Sequence, residues 1–143
     1  MSNKSTNLRY MHEVMIKATP PERIWNALTQ GEWTKRYYYG TEIRGTIRSD
    51  SDYMYYNPDG TVAADGRIAE ATPPRKLVMT FLMHWDARAL AEGPARLTWE
   101  ITPVGEECRL TVTHEGLGEA GSENTAGGLP HICAGLKGVL EAA

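Results

Sequence analysis

The segment Gly127–Glu141 constrains the fold more than any other stretch of the chain. Its apolar residues are Leu129, Ile132, Cys133, Leu136, Val139 and Leu140. Steps of three, one, three, three and one keep them on one side of a helix with a period of 3.6. Lys137 and Glu141 fall on the other side. Proline is tolerated in the first turn of a helix, where its missing N–H has no intrahelical partner anyway. Pro130 therefore predicts a helix start at Gly128 or Leu129. A long amphipathic helix arriving last, after a run of strands, implies a sheet that curls around it. The functional question is whether the space between them is filled core or a pocket.

The strands are read from alternation and turn chemistry. Leu8–Ala18 alternates, with Tyr10, His12, Val14 and Ile16 on one face and Met11, Glu13, Met15 and Lys17 on the other. Thr19-Pro20-Pro21-Glu22 predicts a helix start, with Thr19 as cap, Pro20 in the first turn and Glu22 as the capping-box carboxylate. Ile24, Trp25 and Leu28 give that short helix an inner face, and Glu32–Tyr38 predicts a second. Six further strands follow: Glu42–Ile47, Asp52–Tyr56, Val62–Ala71, Lys76–Trp85, Ala95–Thr102 and Cys108–His114. Turn signals separate them, among them Asn57-Pro58-Asp59-Gly60 and Thr72-Pro73-Pro74. Asp86–Pro94 reads as a loop, and Glu115–Thr125, with Gly116, Gly118 and Gly121, as a flexible link to the last helix. The fold class is α+β: seven antiparallel strands, two short helices after the first, and a long C-terminal helix. The strand number is enough for strong curling. The expected organisation is a flexible tail at 1–7 and one domain at 8–143.

Composition excludes several classes of function. A net charge of -3, with no basic patch or Arg-rich run, argues against nucleic acid. Met1–Asn7 is polar and lacks the apolar core of a secretory signal, and no apolar run approaches the ~18 residues needed to span a bilayer. The expectation is a cytoplasmic protein without a membrane partner, its two cysteines, Cys108 and Cys133, buried and reduced.

No catalytic constellation can be assembled from spacing. The five serines, Ser2, Ser5, Ser49, Ser51 and Ser122, lie in the tail or in predicted turns, and none sits in a GxSxG elbow. Alternation turns His12 and His114 toward the concave face, which is too few for a metal site needing three or four convergent ligands. Neither a metal nor a cofactor is expected. The two imidazoles are instead candidates for orienting the polar end of a ligand. Aromatic and methionine side chains supply the other candidates: Trp33, Tyr37 and Tyr39 around the second short helix, Phe81, Met83 and Trp99 on inward strand faces, and Ile132 and Leu136 on the last helix. Such side chains make core as readily as pocket wall, but Tyr and Trp suit a wall because each adds a polar handle to its apolar area.

Five stretches then carry a likeness: IKATPPERIWNALT (16–29), WTKRYYYG (33–40), DGRIAEATPPRKLVMTF (65–81), RLTWEITPVGEECRLTVTHEGL (96–117) and GGLPHICAGLKGVLE (127–141). Their order resembles the family of homologues of the activator of heat-shock-protein-ninety ATPase, within the SRPBCC superfamily of polyketide cyclases and lipid-transport proteins. Leu129 stands where members often carry Trp. The resemblance implies the helix-grip fold, a strongly curved sheet wrapped around the C-terminal helix, with a binding cavity between them. The reading is non-enzymatic binding of a small hydrophobic or aromatic molecule. A cyclase or hydrolase using the same pocket, and a chaperone-related interaction module, are the alternatives the resemblance leaves open. No motif singles out a chaperone partner. A homodimer through strand edges or the Tyr53–Tyr56 segment is the expected self-association.

Overall fold

A computed structural model of the chain describes residues 7–142. The expected tail, Met1–Asn7, lies outside the described residues except for Asn7. The chain runs β1 (Leu8–Lys17), α1 (Pro21–Thr29), α2 (Gly31–Thr34), β2 (Glu42–Gly45), β3 (Asp52–Tyr56), β4 (Val62–Thr72), β5 (Lys76–Met83), α3 (Ala87–Glu92), β6 (Ala95–Val104), β7 (Glu107–Leu117) and α4 (Glu119–Ala142). The strands form one seven-stranded sheet in the order β1-β7-β6-β5-β4-β3-β2, antiparallel at every pairing. The α+β expectation holds: the sheet is curved and unclosed, and the long C-terminal helix lies against it. Among the described residues, no helix is long and apolar enough to cross a membrane.

The inward faces follow the period of two. On β5, Leu77, Met79, Phe81 and Met83 are buried, and on β6 Leu97, Trp99 and Ile101. Leu110 and Val112 continue the face on β7, opposite Leu129, Ile132, Cys133, Leu136 and Leu140 of α4. Each side chain of this kind contributes about 1.5–3 kcal/mol through its burial. Gly66 marks a close approach on β4, since a Cβ there would lie 2.1 Å from the Thr80 carbonyl oxygen of β5.

Four local expectations are corrected. Thr19 does not cap α1: Pro20 occupies the cap position, and the Thr19 hydroxyl donates back to the Lys17 carbonyl at 2.8 Å. The second short helix stops at Thr34, because the Thr34 hydroxyl donates to the Thr41 carbonyl (2.9 Å) and accepts from the Ile43 N–H (3.0 Å), which turns the chain toward β2. The Asp86–Pro94 loop contains α3, capped by Asp86, which accepts from the Arg88 N–H. The last helix begins at Glu119, a full eleven residues before Pro130, which lies inside it. A proline there removes one intrahelical bond and leaves the Ala126 carbonyl without its usual donor. Packing of α4 on the sheet outweighs that loss.

Within the Tyr53–Tyr56 segment, expected as a route to self-association, only Tyr56 of the three tyrosines is partly exposed. Tyr53 and Tyr55 are buried, and the Tyr53 hydroxyl donates to the Thr80 carbonyl at 2.6 Å. The β1 edge is partly covered as well. Glu141 of α4 accepts from the Lys17 N–H at 2.8 Å, and the Lys137 ammonium donates to the Met15 carbonyl. Backbone groups that otherwise invite a further strand are thereby satisfied.

Candidate functional site

A cavity of about 500 Å³ lies between the curved sheet and the N-terminal half of α4. That volume falls in the range of small-molecule sites, about 300–1,000 Å³. Its floor is strand: Tyr55, Ala63, Ala64, Phe81, Met83, Leu97 and His114. Its roof is α4, where Thr125, Gly127, Gly128, Leu129 and Ile132 face it. One side is the turn after α2, which brings Tyr38, Tyr39 and Thr41. The Thr41 hydroxyl fixes that turn by donating to the Tyr38 carbonyl at 2.7 Å.

The wall is an aromatic relay. Tyr38 stacks on Tyr55 with ring centroids 4.7 Å apart, and Tyr55 meets Phe81 at 6.1 Å. Phe81 in turn meets His114 edge-on at 5.5 Å and Trp85 at 6.3 Å. Burial raises the pKa of the Tyr38 and Tyr55 phenols, so both stay neutral. At the mouth, Tyr39 and Trp85 are 58% and 51% exposed. Tyr39 stacks on His131 of α4 at 5.2 Å, while the Trp85 indole N–H donates to Asn124 Oδ1 at 2.9 Å. Asn124 also donates to Asp86 at 2.9 Å, and this bond chiefly holds the Asp86 carboxyl down to about 2.

His114 is the buried imidazole of the site. Its Nδ1 lies 3.1 Å from Thr125 Oγ1, and burial pushes its pKa down to about 4. Among the described residues, no group of three or more His, Cys, Asp or Glu side chains converges as a metal site requires. Cys108 and Cys133 are free and buried, and burial pushes the Cys133 thiol up to about 12.

Five of the residues singled out from the sequence line the cavity: Tyr39, Phe81, Met83, His114 and Ile132. The other five sit elsewhere. His12 is half-buried on the edge strand β1, where it pairs with Val112 of β7, and it does not line the cavity. Trp33 meets two guanidinium groups, Arg23 at 5.5 Å and Arg36 at 5.1 Å from its ring. Tyr37 donates its hydroxyl to the Ala27 carbonyl at 2.7 Å and packs beneath α4. Trp99 and Leu136 are core, 2% and 0% exposed. Sequence reasoning missed Tyr38, Tyr55, Leu97, Trp85 and Thr125 as wall residues. Inward alternation marks Leu97 and Tyr55. Nothing in a run of three tyrosines distinguishes Tyr38 from Tyr37.

The sequence profile of the family described as Activator of Hsp90 ATPase homolog 1-like protein matches residues 18–141. Solved structures of similar fold include protein MLL2253 from Mesorhizobium loti, at 19% identity and a TM-score of 0.81, covering 95% of this chain and 98% of that one. CalU16 from Micromonospora echinospora superposes with a TM-score of 0.74 at 16% identity, over 92% of this chain and 73% of that one. The Aha1 dimer from Colwellia psychrerythraea does so with a TM-score of 0.72 at 18% identity, over 94% and 96%. No curated protein matches the sequence.

Proposed function

Because the chain belongs to the family described as Activator of Hsp90 ATPase homolog 1-like protein, we propose that it acts by holding a small, mainly apolar molecule between its curved sheet and α4. The observation that carries this reading is the cavity itself, about 500 Å³ and walled by Tyr38, Tyr55, Phe81, Met83 and Leu97. Its lining is mainly apolar with a few polar groups, as small-molecule sites commonly are. The two exposed aromatics at the mouth, Tyr39 and Trp85, support the same reading, since large apolar surfaces held in water commonly mark binding sites. The binding is non-enzymatic: burial holds the His114 imidazole neutral with a pKa near 4, its Nδ1 meets Thr125, and among the described residues no carboxylate hydrogen-bonds the ring to drive acid–base work. The likeness to the Colwellia dimer supports a homodimer as its assembly, which sedimentation equilibrium reads directly.

Nile red, a neutral apolar dye, tests the site. A saturable fluorescence rise at one dye per chain is expected, and it should be lost in Ala64→Phe. Ala64 is apt because it pairs with Tyr55 and Met83, both in the wall. No saturable rise, or an equal rise in the variant, would overturn the proposal.

A further inference from the structure

Among the described residues, one side-chain polar atom shut off from solvent has no hydrogen-bond partner, and it belongs to a residue of the cavity wall. His114 is 3% exposed, and its Nε2 has no hydrogen-bond partner among the described residues. Its other ring nitrogen, Nδ1, lies 3.1 Å from Thr125 Oγ1, and that oxygen lies 2.8 Å from the Gly121 carbonyl oxygen. The threonine hydroxyl has one proton, so two arrangements compete. If Thr125 donates to Gly121, its lone pairs accept the His114 Nδ1–H. Two bonds form, and Nε2 remains a bare acceptor. If Thr125 donates to Nδ1 instead, one bond is lost and Nε2 carries a buried, unpaired N–H. The first arrangement makes one bond more and avoids the orphaned donor, which folded proteins rarely tolerate. Burial also disfavours the charged ring, which would place donors on both nitrogens.

Resting on the binding reading above, we propose that the ligand is an apolar molecule bearing a hydroxyl, as a phenol or alcohol does, and that this hydroxyl donates to His114 Nε2. Thr125 is the positioning residue: it accepts from Nδ1 and so sets which side of the ring is the acceptor. A ligand whose only polar group is an ether or ketone meets acceptor with acceptor and leaves Nε2 unpaired. Discrimination then comes from an unmade bond at a buried nitrogen, where a missing partner weighs most.

Three probes of similar shape separate this inference from the binding reading: naphthalene, 2-methoxynaphthalene and 2-naphthol, each titrated into the full chain at neutral pH. The expected result is that all three bind and that 2-naphthol binds about tenfold tighter than the ether. In His114→Phe that preference should vanish. Equal affinity of naphthol and ether in the wild type overturns the inference and leaves the binding reading standing. A preference that survives in His114→Phe also overturns it. Failure of all three to bind overturns both. Long-range ¹H–¹⁵N correlations of the wild type read the tautomer without any variant. A proton on Nδ1 is expected, and a proton on Nε2 contradicts the inference. In Thr125→Val the protonated nitrogen should no longer be fixed, and the naphthol preference should fall.

Discussion

The Glu92 carboxylate occupies the space that a side chain at Gly118 would need: a Cβ there would lie 2.3 Å from Glu92 Cδ. The same missing side chain leaves α4 without a cap of its own. Glu92, at the end of α3, supplies one by accepting from the Ala120 N–H at 2.8 Å and the Gly121 N–H at 2.9 Å. The carboxylate also meets the positive end of the helix dipole. The start of the cavity roof is thus fixed by a contact between two helices rather than by local sequence.

Glu92→Ala should therefore lower stability by about 1–3 kcal/mol, since two charge-assisted bonds are lost and two N–H groups are left open. Urea unfolding measures the loss, and amide exchange at Ala120 and Gly121 locates it. Unchanged exchange at those two amides would show that α4 does not depend on Glu92.

Acid should expose His114. The unfolded ring titrates near 6.5, whereas the buried ring resists protonation until about 4. Between those values the unfolded chain binds the extra proton, so stability rises with pH through the window and falls on acidification. The loss from pH 7 to pH 4 attributable to this group is roughly 3 kcal/mol. The difference between wild type and His114→Phe, measured by denaturant unfolding across that range, isolates it. Parallel curves for the two proteins would contradict the burial argument.

The helix glycines Gly135 and Gly138 should respond oppositely to alanine. A Cβ at Gly138 meets nothing within 4 Å, so Gly138→Ala should stabilise by about 0.5–1 kcal/mol through helix propensity alone. At Gly135 a Cβ would lie 3.2 Å from Tyr37 Cβ, and the Tyr37 ring is tethered through its hydroxyl to Ala27. There the gain should shrink or reverse. Equal gains in thermal unfolding at the two positions would mean that Tyr37 yields freely.

The sheet was legible because its inward face obeys a period of two. Asp52–Tyr56 has the predicted bounds, and β7 differs only in running from Glu107 on to Leu117. The buried stripe of α4 was legible for the same kind of reason. Its start was not: Pro130 and the glycines of 116–128 are local stop signals, and only the tertiary cap from Glu92 and packing on the sheet override them. The site was half legible. Period places Phe81, Met83 and His114 on the concave side, but it places Trp99 there too, and only depth along the strand separates wall from core. At Tyr37–Tyr39 the period itself fails. The chain leaves the helix there, and Tyr39 takes a φ of 53° that no alternation rule anticipates. The cavity is framed as much by small residues, Ala63, Ala64, Gly127 and Gly128, as by aromatics. Small residues announce nothing about whether their neighbours close over them.

Titration of ¹⁵N-labelled protein with naphthalene reads the cavity without relying on any polar contact. Saturable shifts confined to the amides of Tyr55, Ala64, Phe81, Met83 and Ile132, at one naphthalene per chain, are the predicted result. Shifts that never saturate, or that cluster away from these residues, would contradict a ligand site between the sheet and α4.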